Sequence, residues 1–248
     1  MLRIDLKGQT ALVTGGTRGI GKSIADAFLK GGASVIITGT QESFDLSSQD
    51  LAAGQSIRYI PLDFSNSSSL NAFLANLKDM NKIDILVNNA GINKISLNVN
   101  SVTEDYESVM DVNLKGPYIL AREVSKKMIV QESGRIVNIS SIWSVVSRSG
   151  RSIYGISKWG LVGLTKTLAV ELANYGILVN AISPGFTMTE LTRNTNTEAE
   201  LNKIAEAIPL QRLAHPEEIA NFVLFLASPL NSYMTGQNIV IDGGFSSV

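Results

Sequence analysis

The sequence has no cysteine, only one histidine and no long hydrophobic run among its 248 residues. Without cysteine the chain forms no disulfide, thiolate nucleophile or sulfur-ligated metal site, and a single histidine excludes a histidine cluster. No apolar stretch approaches the ~20 residues that cross a bilayer, and residues 1–7 lack the apolar core of a signal peptide. We therefore expect a cytoplasmic protein with no membrane partner and no metal site.

Charge of either sign is also scarce. Charged residues make up 17% of the chain and apolar residues 44%, and 21 basic side chains nearly balance 22 acidic ones, which leaves a net charge of −1. Because no basic field is available to neutralise a phosphate backbone, we expect no nucleic-acid partner. A chain of this length and composition can bury most of its apolar surface in a folded domain.

Short β-branched runs alternate with longer amphipathic segments from one end of the chain to the other. Seven runs are typical of strands: 10–13, 34–38, 57–60, 83–87, 135–139, 178–182 and 238–241. Helical segments fall around 19–31, 66–79, 103–131, 152–175 and 216–227. The alternation predicts βαβ units with a parallel sheet, and the near-continuous apolar strands predict cover on both faces. A TIM barrel also alternates strands and helices, but a glycine-rich loop after the first strand argues against it.

Two other segments complete the organisation of the chain. His215 precedes a proline and two acidic residues, which are favoured in the first turn of a helix, so we interpret it as a helix-start residue and not as a catalytic one. Residues 186–209 are polar and rich in threonine, and we expect them to form an irregular lid over the substrate. No linker or repeat divides the chain, which predicts a single domain over 1–248.

The glycine-rich loop lies between the first strand and the first helix. Its glycines at Gly15, Gly19 and Gly21 do not follow the G-x-G-x-x-G spacing of the standard dinucleotide fingerprint. A strand, a glycine loop and a helix N-terminus nevertheless form a cradle for a pyrophosphate, because the backbone can approach closely and free N–H groups face the anion. Glycine-rich turns also occur for purely conformational reasons, and the position after the first strand favours the cradle.

The end of the second strand bears on the choice of cofactor. An acidic residue there would bind the ribose 2′-hydroxyl of NAD, but this chain has Thr40 and no acid before Glu42. Arg18, inside the glycine loop, could meet a 2′-phosphate, although it could also be a solvated loop charge. Both positions favour NADP, with NAD still possible.

Tyr154 and Lys158 lie four residues apart, and Ser141 lies thirteen residues before Tyr154. On a helix, positions i and i+4 share a face, so the Lys158 ammonium could sit close to the Tyr154 phenol. A nearby positive charge lowers the pKa of a phenol, which predicts that Tyr154 is a proton donor. Taken alone, such a pair is more often an ordinary surface contact on a helix.

Further motifs follow the fourth and sixth predicted strands. Asn88-Asn89-Ala90-Gly91 follows the fourth strand, and Pro184-Gly185 follows the sixth. With the glycine loop, Ser141 and Tyr154-x-x-x-Lys158, these motifs resemble the short-chain dehydrogenase/reductase family over essentially the whole chain. The resemblance implies a single-domain, Rossmann-like, doubly wound α/β fold with a seven-stranded parallel sheet. It also implies that the protein interconverts a ketone and a secondary alcohol with NADP or NAD.

The same resemblance implies which residues form the site. The catalytic tetrad falls on Asn113, Ser141, Tyr154 and Lys158. The implied cofactor-binding residues are Gly15, Thr17, Arg18, Gly19, Ile20, Gly21, Thr40, Asp63, Phe64, Asn89, Ala90, Gly91, Tyr154, Lys158, Pro184, Gly185 and Thr187. Within this set, Asp63 is implied at the adenine, Asn89 near the adenosine end and Thr187 near the nicotinamide carboxamide.

Each member of the tetrad has an expected role. Ser141 would hydrogen-bond the substrate oxygen, and Tyr154 would give it a proton in reduction or take one in oxidation. Lys158 would hold the nicotinamide ribose and keep the phenol acidic. Asn113 would hold a water that links Lys158 to solvent. Ser141 and Asn89 follow strands, and the carboxyl ends of parallel strands face the ligand crevice, which predicts the site at that edge.

The substrate is less defined by the sequence. The chain resembles bacterial 3-oxoacyl-acyl-carrier-protein reductases, but it has Glu132 and Tyr175 where those enzymes commonly present arginines to their acidic carrier. Trp143, Arg151 and Phe186 are candidate substrate residues. Arg151 would favour an anionic substrate, as in dehydrogenases of sugars, polyols or sugar acids such as gluconate 5-dehydrogenases, or it could simply face solvent. A nucleotide-sensing protein without turnover is a remote alternative, and the family resemblance implies a homotetramer.

Overall fold

The computed structural model describes residues 4–47 and 51–248, so the first three residues of the N-terminal segment interpreted above lie outside the described part. The described residues form seven strands, all joined in parallel pairs. The strands are β1 (Thr10–Val13), β2 (Ser34–Gly39), β3 (Ile57–Pro61), β4 (Ile85–Asn88), β5 (Gly134–Ile139), β6 (Ile177–Pro184) and β7 (Asn238–Ile241). All seven predicted strands are confirmed, with small shifts at their ends.

The strand order across the sheet is β3-β2-β1-β4-β5-β6-β7. The order runs outward in both directions from the β1–β4 pair, and the sheet is open, which confirms the doubly wound fold and excludes a closed barrel. The crevice where the order reverses lies beyond the carboxyl ends of β1 and β4. The glycine-rich loop follows β1 and the Asn88–Gly91 motif follows β4, so the topology brings the two motifs to one crevice.

The described residues form eight α-helices, of which five cover the sheet. They are α1 (Gly19–Lys30), α2 (Ser67–Asp79), α3 (Thr103–Met110), α4 (Gly116–Gln131), α5 (Ser152–Leu172), α6 (Glu190–Thr195), α7 (Glu198–Glu206) and α8 (Pro216–Ala227). His215 is the N-cap of α8, and its backbone N–H donates to Glu218 Oε2 at 2.8 Å, which confirms its interpretation as a helix-start residue. None of these helices is long and apolar enough to span a bilayer.

The core lies on both faces of the sheet because successive strand residues point to opposite sides. Leu12 and Leu86 belong to one buried cluster, and their neighbours Val13 and Val87 belong to the other. Helices α2, α4 and α5 cover the first face, and α1 and α8 cover the second. Strands covered on both sides read as continuous apolar runs, which is why the sequence located them so well.

The long helix expected over 103–131 is interrupted in the structure. A π-helical segment, Asp111–Lys115, separates α3 from α4. Single π turns inside α-helices occur often at functional sites. Asn113 lies in the middle of this segment and is fully buried. The predicted helical segment over 103–131 is confirmed, but the apolar periodicity of the sequence does not distinguish a π turn from a continuing α-helix, so the π turn was not predicted.

The prediction of an irregular segment over 186–209 was wrong, because the segment contains α6 and α7. Threonines at the helix starts account for the error. Thr189 caps α6 by accepting from the Thr192 N–H at 3.1 Å, and Thr197 forms a capping box with Glu200 at the start of α7. Threonine is a poor residue inside a helix but a good N-cap, so a threonine-rich sequence suggested a loop where it starts two helices.

The same segment is closed at its base by backbone hydrogen bonds. The Met188 N–H donates to the Ala214 carbonyl at 2.8 Å, and the Ala214 N–H donates to the Phe186 carbonyl at 2.9 Å. These bonds form a short parallel bridge between Thr187 and Ala214. The bridge therefore holds together the two ends of the segment that contains α6 and α7.

Candidate active site

The four residues of the predicted tetrad come together at the carboxyl ends of β4 and β5. Ser141 follows β5 and is buried, Tyr154 and Lys158 lie on the first two turns of α5, and Asn113 lies in the π-helical segment. The Lys158 ammonium nitrogen is 5.6 Å from the centre of the Tyr154 ring. The Ser141 hydroxyl is near enough to the Tyr154 phenol to lower the pKa of that phenol, so the two groups lie next to each other.

The electrostatics of Tyr154 correct the sequence-based expectation. Burial raises the pKa of Tyr154 above its ordinary value, and this effect is larger than the lowering by the Ser141 hydrogen bond and by the positive charge of Arg151. The net direction is opposite to the expectation of a more acidic phenol, and Arg151 is the cation that lowers the pKa of Tyr154 here, while the acidifying role of Lys158 stays a prediction. With its raised pKa the phenol keeps its proton at neutral pH.

Lys158 is held by the backbone of the adjacent strand. Its ammonium donates to the Ile139 carbonyl at 2.8 Å, and only 3% of the residue is exposed. Burial lowers the pKa of Lys158 to about 8. A Cβ built on Gly91 would lie 3.5 Å from the Lys158 nitrogen, so the absence of a side chain at Gly91 leaves space in front of the ammonium.

Asn113 ties the loop after β4 to α5. Its side-chain oxygen accepts from the Ile92 N–H at 2.8 Å, and its amide nitrogen donates to the Ile92 carbonyl at 2.9 Å and to the Ser157 hydroxyl at 3.0 Å. Both hydrogens of the Asn113 amide are therefore in use. The side chain fixes the position of the loop, and the water-holding role expected for Asn113 stays a prediction.

The glycine-rich loop has the shape of a phosphate cradle. Gly15 and Gly19 have positive φ angles of 63° and 54°, which favour glycine. A Cβ on Gly21 would lie 2.2 Å from the Gly15 carbonyl oxygen, so no side chain fits there. The loop leads into the N-terminus of α1, whose free N–H groups face the same space. The residues present therefore fit the pyrophosphate of a dinucleotide, with Thr17 half-buried in the loop and Ile20 half-buried on the first turn of α1.

Asn89 supports this loop from the side of β4. Its amide donates to the carbonyls of Thr14 and Gly15 at 2.9 and 3.1 Å, and the Thr14 hydroxyl accepts from the Asn89 and Ala90 N–H groups, each at 3.0 Å. Asn89 was expected near the adenosine end of a cofactor. The structure shows that its amide is used to hold the glycine loop against the end of β4.

The residues expected at the adenosine end lie around the ends of β2 and β3. Thr40 and Arg18 are both exposed, and no acidic residue directly follows β2. Asp63 is half-buried, with its carboxylate accepting from the N–H and the hydroxyl of Ser65 at 2.9 and 2.6 Å. Phe64 is buried and packs so closely on Gly116 that a Cβ there would lie 2.4 Å from its ring.

The residues after β6 approach the glycine loop from the other side. Pro184 ends β6, and a Cβ on Gly185 would lie 2.7 Å from the Asp242 backbone. Thr187 is buried, and its hydroxyl donates to the Gly185 carbonyl at 3.2 Å. A Cβ on Gly19 would lie 3.3 Å from the Thr189 methyl group, so Thr189 also contacts the cofactor cradle. Sequence reasoning missed Thr189, because nothing in a run of threonines distinguishes one from the next.

Three aromatic rings form a cluster beside Ser141. The centre of the Trp143 ring lies 6.2 Å from the ring centres of both Phe186 and Phe245, and the centres of the two phenylalanine rings are 5.4 Å apart. All three pairs pack edge to face. The Arg151 guanidinium lies 5.9 Å from the centre of the Trp143 ring. The structure thus brings together the three expected substrate residues, Trp143, Arg151 and Phe186. Phe245 was missed because it comes from the last turn of the chain and carries no local signal.

The arrangement supports a defined kind of chemistry. A buried hydroxyl and a protonated phenol converge on one point, with a buried ammonium behind the phenol and a dinucleotide cradle at the adjacent strand end. Such a site can orient a carbonyl oxygen and exchange a proton with it. Within ranges 4–47 and 51–248, no three histidine, aspartate or glutamate side chains are arranged so that they could hold a metal ion.

The chain is similar over nearly its whole length to several characterised groups of proteins. A sequence profile described as Enoyl-(Acyl carrier protein) reductase matches residues 15–246. The 3-oxoacyl-[acyl-carrier-protein] reductase FabG of Rickettsia bellii (strain RML369-C) is 43% identical, with 99% of this chain and 100% of the relative covered. The FabG reductase of Aquifex aeolicus (strain VF5) is 41% identical, with 98% and 99% covered.

Solved structures give a similar result. A gluconate 5-dehydrogenase from Burkholderia cenocepacia J2315, in complex with NADP and tartrate, is 31% identical to this chain and superimposes with a TM-score of 0.91. The match covers 99% of this chain and 98% of that one. The similarity in sequence and in structure therefore includes both the glycine-rich loop and the region of Ser141, Tyr154 and Lys158.

Proposed function

Because the chain belongs to the short-chain dehydrogenase/reductase family of NAD(P)-dependent oxidoreductases, we propose that it reduces the ketone of a 3-oxoacyl thioester with NADPH. The observation that carries the proposal is the convergence of Ser141 and Tyr154 beside the glycine cradle. A 3-oxoacyl-[acyl-carrier-protein] reductase is the function named for the relatives of 38% to 43% identity. The product is the corresponding secondary alcohol.

The residues of the chain handle the substrate oxygen. A nicotinamide dinucleotide held in the glycine cradle would supply the hydride for the carbonyl carbon. Ser141 donates a hydrogen bond to the carbonyl oxygen and orients it, and Tyr154 gives that oxygen its proton as the C–O double bond becomes a single bond. The pKa of Tyr154, raised by burial, keeps the proton available at neutral pH. Lys158 places a buried positive charge behind the phenol and favours the phenolate that remains.

The cofactor residues are proposed on the fit of the cradle. Gly15, Gly19 and Gly21 would hold the pyrophosphate with the N-terminus of α1, and Thr187 and Thr189 would contact the nicotinamide half. We prefer NADP to NAD because Arg18 is exposed beside the loop and Thr40 offers no carboxylate to a ribose hydroxyl. The segment 186–209 would close over the substrate as a lid, with its hinge at the backbone bridge between Thr187 and Ala214.

An apolar border supports an acyl substrate. Ile95, Leu97 and Val99, in the loop between β4 and α3, are exposed by 67%, 52% and 87%. The loop touches the segment before α5, because a Cβ on Gly150 would lie 3.2 Å from an Ile95 methyl carbon and the Ser96 N–H donates to the Gly150 carbonyl. Exposed apolar residues at the rim of a site are suited to an acyl chain or its carrier arm.

Recognition of an acidic carrier protein would have to differ from that of the arginine-bearing reductases. Glu132, the C-cap of α4, and Tyr175, beyond the end of α5, are both exposed, and a carboxylate at this place opposes an acidic partner. The test of function should therefore include a carrier-free thioester, which does not depend on this surface.

A homotetramer is proposed from the apolar residues that remain exposed on the helices. Tyr118 on α4 and Trp159 on α5 are exposed by 48% and 55%, and Val170 is exposed by 80%. Tyr118 also lines an apolar cleft of about 410 Å³, together with Met110, Asp111, Leu114, Lys115 and Leu164. Exposed apolar surface of this kind favours association. Light scattering on the protein as it leaves a size-exclusion column would give the number of subunits. A monomer at micromolar concentration would contradict the proposal.

The proposed reaction is tested by following cofactor oxidation. The panel contains the acetoacetyl thioester of N-acetylcysteamine, keto-sugars and simple ketones, each with NADPH and with NADH. We expect the thioester with NADPH to give the highest kcat/KM. Tyr154→Phe should lower kcat by a factor of about 10² to 10⁴, since it removes the proton donor, and should leave NADPH binding in place. A variant that keeps most of the activity would show that Tyr154 is not the donor.

A further inference from the structure

A chain of buried hydroxyl groups joins the segment after β5 to β6 and β7. The Ser144 hydroxyl donates to the Ser141 carbonyl at 2.7 Å and lies 3.0 Å from the Ser183 hydroxyl. The Ser183 hydroxyl in turn donates to Asn238 Oδ1 at 2.7 Å. Ser144 and Ser183 are only 2% and 0% exposed, so bulk water does not compete for these hydroxyls. The backbone of the candidate catalytic serine is therefore linked to β7, the edge strand of the sheet.

The places of these residues on the strands explain how they meet. Asn238 lies opposite Ala181 in the parallel ladder, and Ser183 follows Ala181 by two residues, so the side chains of Ser183 and Asn238 point to the same face of the sheet. Ser144 reaches that face from the 3₁₀ turn that directly follows Ser141. The Ser144 backbone N–H also donates to the Ser141 carbonyl, at 2.9 Å, so this carbonyl accepts two hydrogen bonds from one residue.

The chain of hydroxyls lies between two parts of the site that the proposed reaction must hold at a fixed distance. Ser141 would orient the substrate oxygen. Ser183 comes two residues before Gly185, and the loop 185–187 would contact the nicotinamide half of the cofactor. A Cβ on Gly185 would lie 2.7 Å from the Asp242 backbone, so this loop is packed against the end of β7. The two buried serines therefore tie the substrate side of the site to its cofactor side.

The burial of these hydroxyls favours a role in positioning. A buried hydroxyl is unfavourable unless it is hydrogen-bonded, and an alanine at the same place would carry no such cost. Ser183 is the only polar residue of β6 after Asn180, so it interrupts an otherwise apolar strand end. A fully bonded polar network inside a packed structure holds its members in one arrangement. We therefore expect these residues to fix the geometry of the loops around the site.

The number of donors sets the direction of the chain. Ser144 and Ser183 have one hydroxyl proton each, but the three contacts need three protons. The third is available from the Asn238 amide, because a half-turn of that amide exchanges the places of its oxygen and nitrogen. In that arrangement Asn238 donates to Ser183 and Ser183 donates to Ser144. The Ser144 proton is then free for the Ser141 carbonyl.

We propose that Ser144, Ser183 and Asn238 are positioning residues, which set the place of Ser141 relative to the loop 185–187. They act through the backbone of Ser141 and do not contact the substrate oxygen. The inference rests on the proposed function, because it concerns the hydride transfer at the same site, and it adds three residues to the tetrad. A misplacement of about 1 Å between reacting groups can lower a rate about 100-fold.

The test measures hydride transfer with the ketone of the panel that gives the highest kcat/KM. Ser144→Ala and Ser183→Ala should each lower kcat about 10- to 100-fold, because the reactants are no longer aligned. The KM for NADPH should change less than about threefold, because the pyrophosphate is held elsewhere, in the glycine cradle. With NADPH deuterated at C4, the isotope effect on kcat should be larger in both variants than in the wild type, since hydride transfer then limits the rate.

Ser228→Ala is the matched control. Ser228 is also fully buried, and its hydroxyl donates to the Phe225 carbonyl at 2.8 Å. It lies after α8 and next to Asn231, whose carbonyl accepts from Arg135 near the start of β5, at the edge of the sheet opposite Ser141. The control variant loses a comparable hydrogen bond, and it should keep the wild-type kcat and isotope effect.

Two further variants test the chain as a unit. Because Ser183 lies between Ser144 and Asn238, Ser144→Ala combined with Asn238→Ala should have the kcat of Ser144→Ala alone. Independent residues would instead have effects that multiply. Asn238→Asp should lower kcat as much as Asn238→Ala does, because a carboxylate accepts hydrogen bonds but does not donate them.

The inference is decided on whichever ketone is reduced, so failure of the thioester alone refutes only the proposed substrate. An unchanged kcat in Ser144→Ala and Ser183→Ala would overturn the inference, and so would an equal loss in Ser228→Ala. Multiplied effects in the double variant, or a wild-type kcat in Asn238→Asp, would also overturn it.

A structural measurement decides the inference if no ketone is reduced, a result that refutes the proposed function. Crystal structures of the wild type and of Ser183→Ala are compared in the same crystal form. A shift of Ser141 relative to Gly185 by more than about 0.5 Å supports the inference, and an unchanged distance between the two residues overturns it.

Discussion

The Lys158 ammonium donates a hydrogen bond to the Ile139 carbonyl at 2.8 Å, in a place where only 3% of the lysine is exposed. Ile139 is the last residue of β5, two positions before Ser141. The bond therefore fixes the lysine to the same strand that positions the candidate catalytic serine. Keeping a charge in this place has a cost in stability, because one carbonyl replaces the water around an ammonium.

We predict that Lys158→Met raises the stability of the protein near neutral pH while it abolishes turnover. The pKa of Lys158 is lowered to about 8, which corresponds to a penalty of about 3 kcal/mol while the lysine is charged. Methionine removes the penalty but leaves the Ile139 carbonyl without its donor, so we expect a net gain of about 1–2 kcal/mol. Thermal unfolding near pH 7 should show a Tm several degrees higher than that of the wild type.

The pH dependence gives this prediction its control. Between about pH 8 and about pH 10.4 the unfolded lysine binds a proton that the folded one does not, so the wild type gains stability as the pH rises through this window. Below about pH 8 Lys158 is protonated in both the folded and the unfolded protein, so the cost of burying its charge is constant. The advantage of Lys158→Met should therefore be largest near pH 7 and should shrink towards about pH 10. If the difference in Tm between Lys158→Met and the wild type does not change with pH, the charge of Lys158 does not destabilise the folded protein.

A second prediction concerns the glycine cradle. Gly21→Ala places a methyl group 2.2 Å from the Gly15 carbonyl oxygen and 2.4 Å from the Asn89 amide, and the backbone cannot yield cheaply. We expect the affinity for NADPH to fall at least tenfold, as measured by fluorescence titration. Gly31→Ala, at the other end of α1, is the control: its φ is −76° and its nearest contacts are 3.4 Å, so binding should be unchanged. Equal affinity in the two variants would mean that the loop does not hold the cofactor.

Asn113 is predicted to act by fixing the loop after β4. Asn113→Leu has a similar volume but leaves the N–H and the carbonyl of Ile92 without partners, which should cost about 2–3 kcal/mol in urea unfolding. Activity should fall as well, because the loop borders Lys158. The control is Asn76→Ala, where an exposed asparagine donates to the Ala72 carbonyl, and the change should stay within about 0.5 kcal/mol. If both variants unfold at the same urea concentration, the role given to Asn113 is wrong.

Most of the sheet could be predicted from the sequence, because the inner strands β2, β1, β4, β5 and β6 are almost entirely buried and so are local apolar runs. Only the strand ends shift: β4 begins at Ile85 and not at Ile83, where the Asp84 side chain accepts from the Thr10 N–H at 2.8 Å. The π-helical segment around Asn113 was not predictable, because the bonds that accompany it join residues distant in sequence. The helices after Thr189 and Thr197 were missed because capping threonines resemble loop residues.

The site shows the same division between local and tertiary information. The intervals between Ser141, Tyr154 and Lys158 are local, and the structure brings these residues together as expected. The direction of the pKa shift of Tyr154 depends on where the Lys158 ammonium points and on how much water is excluded, and neither follows from helical spacing. Phe245 reaches Trp143 only through the path of the chain after β7, which no sequence pattern records.

The last prediction concerns the choice between the two cofactors. Arg18 is exposed at the N-cap of α1, and Thr40 is exposed directly after β2, where a carboxylate would accept from a ribose hydroxyl and repel a phosphate. Arg18→Ala should lower kcat/KM with NADPH by about 10- to 100-fold and change that with NADH by less than about threefold, because only the phosphate is lost as a partner. Thr40→Asp combined with Arg18→Ala should reverse the preference. Lys22→Ala is the control, since this exposed lysine is already neutralised by Asp26 at 2.6 Å. Steady-state kinetics with both cofactors at subsaturating concentration measure the ratio, and an unchanged ratio in Arg18→Ala would assign the phosphate to another residue.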